Sequence, residues 1–290
     1  MLHTLLAAAL AMTTQVMSWS DLTSRPRPAA DATVSYGADA TQKADVWLPE
    51  GRGPHPVVVM VHGGCWTTSI ADRSLMNWIA ADLRAHGIAV WNIDYRGVDR
   101  AGGGYPGTFA DAAAASDRLT VEARRFNLDT RRIVAVGHSA GGHLALWLAG
   151  RAKLPKTSPL AGGKPLRIDR VVSLGGLPDL ELAAARETGC GTAVVGKLVG
   201  SGRADPYADT SVTHLLPLGV RQDLINGDRD HVIPTDFGQS YVDKASAAGD
   251  RVSLSLVAGS GHVELITPDT PAWLEARTII ERELGPARRH

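Results

Sequence analysis

Cysteine is scarce in this sequence. Cys65 and Cys190 are the two cysteines among 290 residues. Two cysteines supply neither the framework of a disulfide-rich domain nor the ligand set of a structural zinc site. We therefore expect two unpaired thiols in a reducing compartment, and the alternative is a single bridge between them. We expect no cofactor and no metal ion.

The sequence also has no surplus of charge of either sign. Lysine and arginine together number 30, and aspartate and glutamate also number 30. A balanced, dispersed set of charges argues against a partner of high negative charge, such as nucleic acid or an anionic membrane surface. The expected partner is instead a small-molecule substrate, and the oligomeric state is left open.

The N-terminal region has no apolar run long enough to cross a membrane. The run at residues 5–12 is too short to span a bilayer. Its length suits the core of a signal peptide, but no lysine or arginine precedes it. We therefore expect a cytoplasmic protein, or a secreted one if residues 1–17 act as a signal peptide. Met17 is an alternative start. Residues 1–30 are the expected N-terminal lead-in, and we expect residues 18–31 to be extended rather than packed.

Short apolar runs alternate with helical patterns through most of the chain. The aliphatic run at 57–61 is typical of a strand buried on both faces. The alternation predicts a mostly parallel, eight-stranded sheet with helices on both faces, in one α/β domain at residues 31–290. The stretch 176–220 is rich in glycine and proline, and we expect it to form a small cap. The predicted strands are 33–36, 44–48, 57–61, 88–93, 132–136, 170–174, 222–226 and 251–257, and the predicted helices are 71–86, 109–126, 143–149, 235–248 and one beyond Pro271.

The segment Gly-His-Ser-Ala-Gly-Gly at residues 137–142 links a predicted strand directly to a predicted helix. This is the G-x-S-x-G pattern, in which the serine lies at the tip of a sharp strand-to-helix turn with its hydroxyl exposed. Gly137 and Gly141 flank Ser139, where a side chain would clash with the neighbouring strand or helix. The context predicts that Ser139 is a nucleophile, and the alternative is a chance Gly-Ser turn.

A serine nucleophile needs a general base. His262 follows the predicted strand 251–257, and open parallel sheets place their sites at this carboxyl edge. Its place in the chain favours His262 over the rival histidines His231 and His143.

The base in turn needs an orienting acid that lies between serine and histidine in chain order. Two aspartates, Asp228 and Asp230, follow the predicted strand 222–226. Because Gly227 can turn the chain off that strand, the third residue after it can point back toward the site. We therefore prefer Asp230, and we expect Asp228 to cap or bridge the turn.

Paired glycines after strand 57–61 predict an oxyanion hole, because backbone N–H groups there can approach a substrate closely. We assign the donors to the amides of Gly64, Cys65 and Ala140. His62, just before them, is expected to brace this loop.

These segments together resemble the α/β-hydrolase superfamily. The residues that carry the resemblance are His62-Gly63-Gly64-x-Trp66, Gly-His-Ser-Ala-Gly-Gly-His-Leu-Ala at 137–145, Asp230-x-x-Ile-Pro and Gly261-His262. The chain is most similar to the kynurenine formamidase-like and small-esterase branch, which is related to the hormone-sensitive-lipase group. The resemblance covers residues 30–280 and implies an α/β-hydrolase fold with the triad Ser139, Asp230 and His262. Cys65 is a departure, since the formamidases usually carry an aromatic residue there, and this weakens the case for N-formylkynurenine.

We expect a metal-free serine hydrolase that cleaves small carboxylic esters or aryl formamides through an acyl-enzyme. The alternatives are a kynurenine formamidase proper, a secreted acetyl-xylan-type esterase, or a binding protein without activity. The complete triad disfavours the last. Tyr105, Phe109 and residues 179–214 are the expected walls of the substrate pocket.

Overall fold

The computed structural model describes residues 15–285 of the chain. The signal-peptide core considered above, residues 5–12, lies outside the described residues. So do the N-terminal part of the expected lead-in and the last five residues of the expected hydrolase domain.

Eight strands form one twisted sheet in the spatial order β1-β2-β4-β3-β5-β6-β7-β8. Strand β2 is antiparallel to both of its neighbours, β1 and β4, and all other pairings are parallel. The strands are β1 (Ala32–Ser35), β2 (Lys43–Trp47), β3 (His55–Val61), β4 (Ala89–Ile93), β5 (Leu128–His138), β6 (Arg170–Leu174), β7 (Arg221–Gly227) and β8 (Arg251–Val257). This is the α/β-hydrolase architecture, and the predicted eight-stranded, mostly parallel sheet is confirmed.

Helices cover both faces of the sheet. The α-helices are α1 (Trp19–Thr23), α2 (Asn77–Ala85), α3 (Gly107–Glu122), α4 (Ala140–Gly150), α5 (Leu180–Ala185), α6 (Ala193–Val199), α7 (Thr235–Ala247) and α8 (Pro271–Leu284). The 3₁₀ turns are Arg73–Met76, Arg151–Lys153, Val212–Leu215 and Glu264–Ile266.

Successive side chains of the central strands point to opposite faces of the sheet, so the core consists of two layers. Val57, Val59 and Val61 pack with α3 to α7, whereas Val58 and Met60 pack with α1, α2 and α8 on the other face. Every residue of β3 is buried, as the continuous aliphatic run predicts for a central parallel strand. Because seven strands run in one direction, the loops after β3, β5, β7 and β8 all emerge at one edge of the sheet.

The lead-in differs from the expectation where it is described. Residues 19–23 form helix α1 instead of extended chain, and the side chain of Leu22 is fully buried against the sheet. Ser18 and Asp21 form a capping box at the start of this helix, so its first turn is locally stabilised. The arginine- and proline-rich run that follows obscured this short helix in the sequence.

The stretch 176–220 contains helices α5 and α6 as well as a 3₁₀ turn, and it packs on the elbow helix α4. The Nε1–H of Trp147 donates to the carbonyl oxygen of Asp209 at 2.8 Å, and His143 Nε2 lies 2.8 Å from the carbonyl oxygen of Thr210. Apolar side chains in α5 and α6, such as Leu198, are buried in the core of this face.

The expectation of two unpaired thiols is wrong. Cys65 and Cys190 form a disulfide across a sequence separation of 125 residues, with their Cα atoms 5.3 Å apart. Nothing in the separation of two cysteines indicates that they meet. They do so because residues 176–220 fold back over the loop that follows β3.

Removing this disulfide by the double change Cys65→Ala and Cys190→Ala should lower the free energy of unfolding by about 2–4 kcal/mol, because the bridge closes a long loop in the unfolded chain. Urea unfolding of the wild type, with and without a reductant, provides the comparison. Reduced wild type should match the double variant. Alkylation of both thiols in the native, unreduced protein would contradict the assignment.

Candidate active site

The predicted site residues meet at the carboxyl edge of the sheet. Ser139 directly follows β5, the Gly64 loop follows β3, Asp230 follows β7, and His262 follows β8. Ser139 and His262 line one cavity of about 360 Å³, together with Gly64 and Cys65.

Ser139 lies in a backbone conformation that L-residues rarely adopt. Its φ is 55° and its ψ is −122°, and its N–H donates to the carbonyl oxygen of Leu174 in the neighbouring strand at 2.8 Å. Helix α4 begins at the next residue, Ala140. The side chain is therefore held at the tip of a tight strand-to-helix turn, as the G-x-S-x-G pattern predicts.

The glycines beside Ser139 are required by the close approach of backbone atoms. A Cβ at Gly141 would lie 2.1 Å from the carbonyl oxygen of Val61 in β3, and a Cβ at Gly137 would lie 2.0 Å from that of Gly141. Contacts that short do not occur between real atoms. Any side chain at either position would push α4 away from β3 and β5.

Asp230 and His262 form a buried hydrogen-bonded pair. The Asp230 Oδ2 and the His262 Nδ1 are 2.6 Å apart, and both side chains are almost fully buried. The second carboxylate oxygen, Oδ1, accepts the N–H groups of Val232 and Ile233 at 2.8 and 2.9 Å. These two backbone donors fix the carboxylate, so that Oδ2 faces the imidazole.

The rival residues lie elsewhere. Asp228 is exposed, and its Oδ1 accepts the N–H of Gly259 at 2.7 Å, which is the expected turn-bridging role. His231 is also exposed. His143 is fully buried on α4, and burial lowers its pKa from 6.5 to about 4, so it is neutral near pH 7.

His138, inside the G-x-S-x-G segment, was not recognised as part of the site by sequence reasoning. Its ring lies 4.4 Å from that of His262, and its Nε2 lies 3.1 Å from the His262 carbonyl oxygen. That oxygen can only accept, so Nε2 carries the proton and donates. Burial, and then the neighbouring His262, keep the pKa of His138 well below its ordinary value. A neutral His138 thus ties the elbow to the loop that carries His262.

The loop after β3 turns sharply beneath the cavity. Gly64, Cys65 and Trp66 have φ values of 97°, 53° and 52°, and the Thr67 N–H donates to the Gly64 carbonyl oxygen at 2.9 Å. A Cβ on Gly64 would also lie 2.7 Å from the side chain of Ala71. The loop can therefore bring its backbone near Ser139 without side-chain obstruction.

His62 braces this loop, as the sequence led us to expect. Its Nε2 lies 3.0 Å from Asp94 Oδ1, its Nδ1 lies 2.7 Å from the Gly63 carbonyl oxygen, and its ring stacks on Tyr95 at 4.4 Å. The guanidinium of Arg73 holds the other oxygen of Asp94 at 3.0 Å. Both ring nitrogens of His62 therefore have an oxygen partner, which fixes the orientation of the ring.

The cavity walls differ from those expected. From residues 179–214 only Gly189 lines the cavity, and Tyr105 and Phe109 do not. Phe109 is fully buried and packs on Trp147 of α4, so it belongs to the core. The walls come instead from α1 and from the loop that leads to α2. The lining side chains from these two segments are Trp19, Thr23, Ile70, Ala71 and Leu75.

Within residues 15–285, no group of three or more His, Cys, Asp or Glu side chains is arranged to hold a metal ion. None of the helices in the described part of the chain has both the length and the apolar character needed to cross a bilayer.

Residues 44–244 match the BD-FAE family, which is well over half of the chain. The chain belongs to this family. Esterase LipC of Mycobacterium tuberculosis is 27% identical over 242 residues, which cover 79% of this chain and 58% of that protein. Isoprenylcysteine alpha-carbonyl methylesterase ICME of Arabidopsis thaliana is 25% identical over 258 residues, 82% of this chain and 57% of that protein. The chain therefore spans somewhat more than half the length of these relatives.

A solved structure with the same fold is a truncated carbohydrate esterase from gut microbiota. Its TM-score against this BD-FAE family member is 0.74 at 21% identity, over 88% of this chain and 97% of that one. At this level of identity the likeness concerns the fold.

Gly141→Ala should destabilise the protein by about 3 kcal/mol or more, because the new methyl group meets the backbone oxygens of β3 and cannot rotate away. Chemical denaturation measures the change. Gly196→Ala is the matched control: a Cβ there meets nothing within 4 Å on helix α6, so alanine should stabilise by about 0.5–1 kcal/mol. Equal stabilities of the two variants would refute the steric account of the elbow.

Proposed function

We propose that the protein is a carboxylesterase that works through an acyl-enzyme, with Ser139 as nucleophile, His262 as general base and Asp230 as orienting acid. The observation that carries the proposal is the buried 2.6 Å contact between Asp230 Oδ2 and His262 Nδ1, at a cavity whose wall includes Ser139 on a strained turn. The names of the relatives, which are esterases, support the same reaction class.

In the first step Ser139 Oγ attacks the ester carbonyl carbon while His262 Nε2 takes the hydroxyl proton. The tetrahedral intermediate then collapses. The bond to the alcohol oxygen breaks, and His262 returns the proton to that oxygen, so that the alcohol leaves and the acyl group stays on Ser139. Water repeats the sequence with His262 as base and releases the acid.

Asp230 sets the tautomer of the base. With Nδ1–H donating to Asp230 Oδ2, the unprotonated nitrogen of His262 is Nε2, the one that must accept the serine proton. The imidazolium that forms during each proton transfer is stabilised by the adjacent carboxylate. Because Asp230 Oδ1 already accepts two backbone N–H groups, the acid keeps its orientation throughout.

The oxyanion would be stabilised by the amides of Gly64, Cys65 and Ala140. Ala140 is the first residue of α4, where N–H groups have no acceptor within the helix and the helix dipole favours negative charge. Each well-aimed donor contributes about 3 kcal/mol to transition-state stabilisation. The hydrogen-bonded network of His62, Asp94 and Arg73 beneath the loop keeps the loop rigid.

We propose an ester, rather than an aryl formamide, as the substrate. At the position of Cys65 a formamidase would present an aromatic side chain. Here the Cys65 sulfur is bonded to Cys190, so it cannot stack on the aryl ring of an aryl formamide as an aromatic side chain would. The mouth of the cavity carries apolar side chains such as Ile70 and Leu75. These favour a small ester with an apolar group.

Two further parts of the proposal concern the whole chain. Residues 31–290 would be one hydrolase domain, with 176–220 as a cap that the disulfide joins to the Gly64 loop. Because disulfides persist in oxidising compartments, the bridge favours the exported alternative over the cytoplasmic one.

The reactive serine can be tested by intact-protein mass after treatment with paraoxon. The wild type should gain one phosphoryl adduct and Ser139→Ala none, because Ser139 shares its cavity with His262, the proposed base. Ser139→Ala should also lower the turnover of p-nitrophenyl acetate by about 10⁴-fold or more. N-formylkynurenine, assayed beside it, should be a poor substrate.

The absence of an adduct on wild type would instead favour a binding protein without catalysis. An adduct on both proteins would move the nucleophile to another residue. Faster hydrolysis of N-formylkynurenine than of the ester would overturn the choice of substrate.

Asp230→Asn should reduce kcat by about 10⁴-fold, because an amide in place of the carboxylate favours the wrong imidazole tautomer. The matched control is Asp228→Asn, two residues away, whose side-chain oxygen can still accept the Gly259 N–H. It should retain activity within a few-fold. Steady-state kinetics of both variants make the comparison, and the reverse order of effects would exchange the two roles.

A further inference from the structure

The short helix α1 borders the candidate site on the side of His138 and His262. The indole of Trp19 lies 6.1 Å, centroid to centroid, from the rings of both His138 and His262, and it meets each of them edge-on. Trp19 and Thr23 line the same cavity as Ser139. Trp19 remains 41% exposed, although tryptophan is a costly residue to leave in water.

Helix α1 is fixed to the loop that carries His262. The buried carboxylate of Glu264 accepts the Met17 N–H at 2.5 Å on Oε1 and the Gly261 N–H at 3.0 Å on Oε2. Leu22 of the same helix is fully buried in the core. One carboxylate thus holds both the start of α1 and the residue before His262, so Trp19 keeps a constant position relative to the His262 imidazole.

The reaction itself tells which part of an ester would meet Trp19. His262 must hand its proton to the oxygen of the leaving alcohol, so the alcohol lies on the His262 side of the scissile bond. The carbonyl oxygen of the ester, which becomes the oxyanion, lies on the opposite side, toward the Gly64 loop. Trp19 borders His262, and the exposed Ile70 lines the same cavity.

We propose that α1 forms the alcohol subsite and that Trp19 selects esters whose alcohol carries an aromatic or bulky apolar group. This inference rests on the proposed esterase function. The half-exposed indole provides a flat apolar surface, and an aromatic ring packed against it gains both buried area and aromatic contact. Sequence reasoning missed this residue because a lone tryptophan in a polar lead-in carries no pattern.

Two pairs of substrates separate the alcohol side from the acyl side. Benzyl acetate and ethyl acetate differ only in the alcohol, and ethyl butyrate and ethyl acetate differ only in the acyl chain. In Trp19→Ala, the ratio of kcat/KM for benzyl over ethyl acetate should fall about tenfold. The ratio for ethyl butyrate over ethyl acetate should remain as in the wild type.

Two control variants frame the result. Trp19→Phe keeps an aromatic surface and should lose much less of the benzyl preference. Leu274→Ala removes a similarly exposed apolar side chain on α8, away from the cavity, and should change neither ratio. An unchanged benzyl preference in Trp19→Ala, or an equal fall of both ratios, would overturn the proposal.

Binding without turnover distinguishes this inference from the esterase proposal. In the Ser139→Ala background, benzyl acetate titrated by NMR should bind about tenfold more weakly when Trp19 is also alanine. Equal affinities would overturn the role of Trp19 even if the wild type hydrolyses esters. If the wild type hydrolyses no ester, the esterase function fails, and this titration still decides whether α1 binds the apolar group.

Discussion

The site depends on the distance between helix α4 and the central strands. A carbonyl oxygen of β3 occupies the place where a Cβ of residue 141 would lie. A carbonyl oxygen of α4 occupies the place where a Cβ of residue 137 would lie. Such contacts are possible only between backbone atoms, so both positions must be glycine. They hold Ser139 at a positive φ at the tip of the turn, and they let Gly141 lie against the carbonyl oxygens of Val61 and His62. Packing of the whole sheet supplies the energy that maintains this strained residue.

The charged groups around the site are each held by more than one partner. Asp230 receives two backbone N–H groups besides its contact with His262, and Asp94 lies between His62 and Arg73. Buried charges are tolerated when they are paired and hydrogen-bonded in this way. These contacts fix the orientation of each carboxylate, because a carboxylate with one oxygen already hydrogen-bonded can present the other oxygen in only one direction. An orienting acid requires that property.

Two segments outside the sheet reach the cavity through long-range connections. The N-terminal helix is held by Glu264, and residues 176–220 are held by the disulfide to Cys65. Each connection joins a peripheral segment to a loop that carries a candidate functional group. The proposed substrate preference therefore resides in segments outside the sheet, while the proposed chemistry resides at the ends of central strands. This division is common in α/β folds, where loops at the carboxyl edge carry function.

The sequence by itself determined the sheet, the elbow and the expected partners of the serine. Buried parallel strands require continuous apolar runs, and a sharp strand-to-helix turn requires glycines at fixed spacing, so both leave local signals. Asp230 and His262 followed from the rule that parallel strands end at one edge. Tertiary structure alone decided that Cys65 meets Cys190, that His138 supports the loop of His262, and that Trp19 lines the cavity. Each of these contacts joins residues more than 100 positions apart, and no local pattern encodes which distant surfaces will meet.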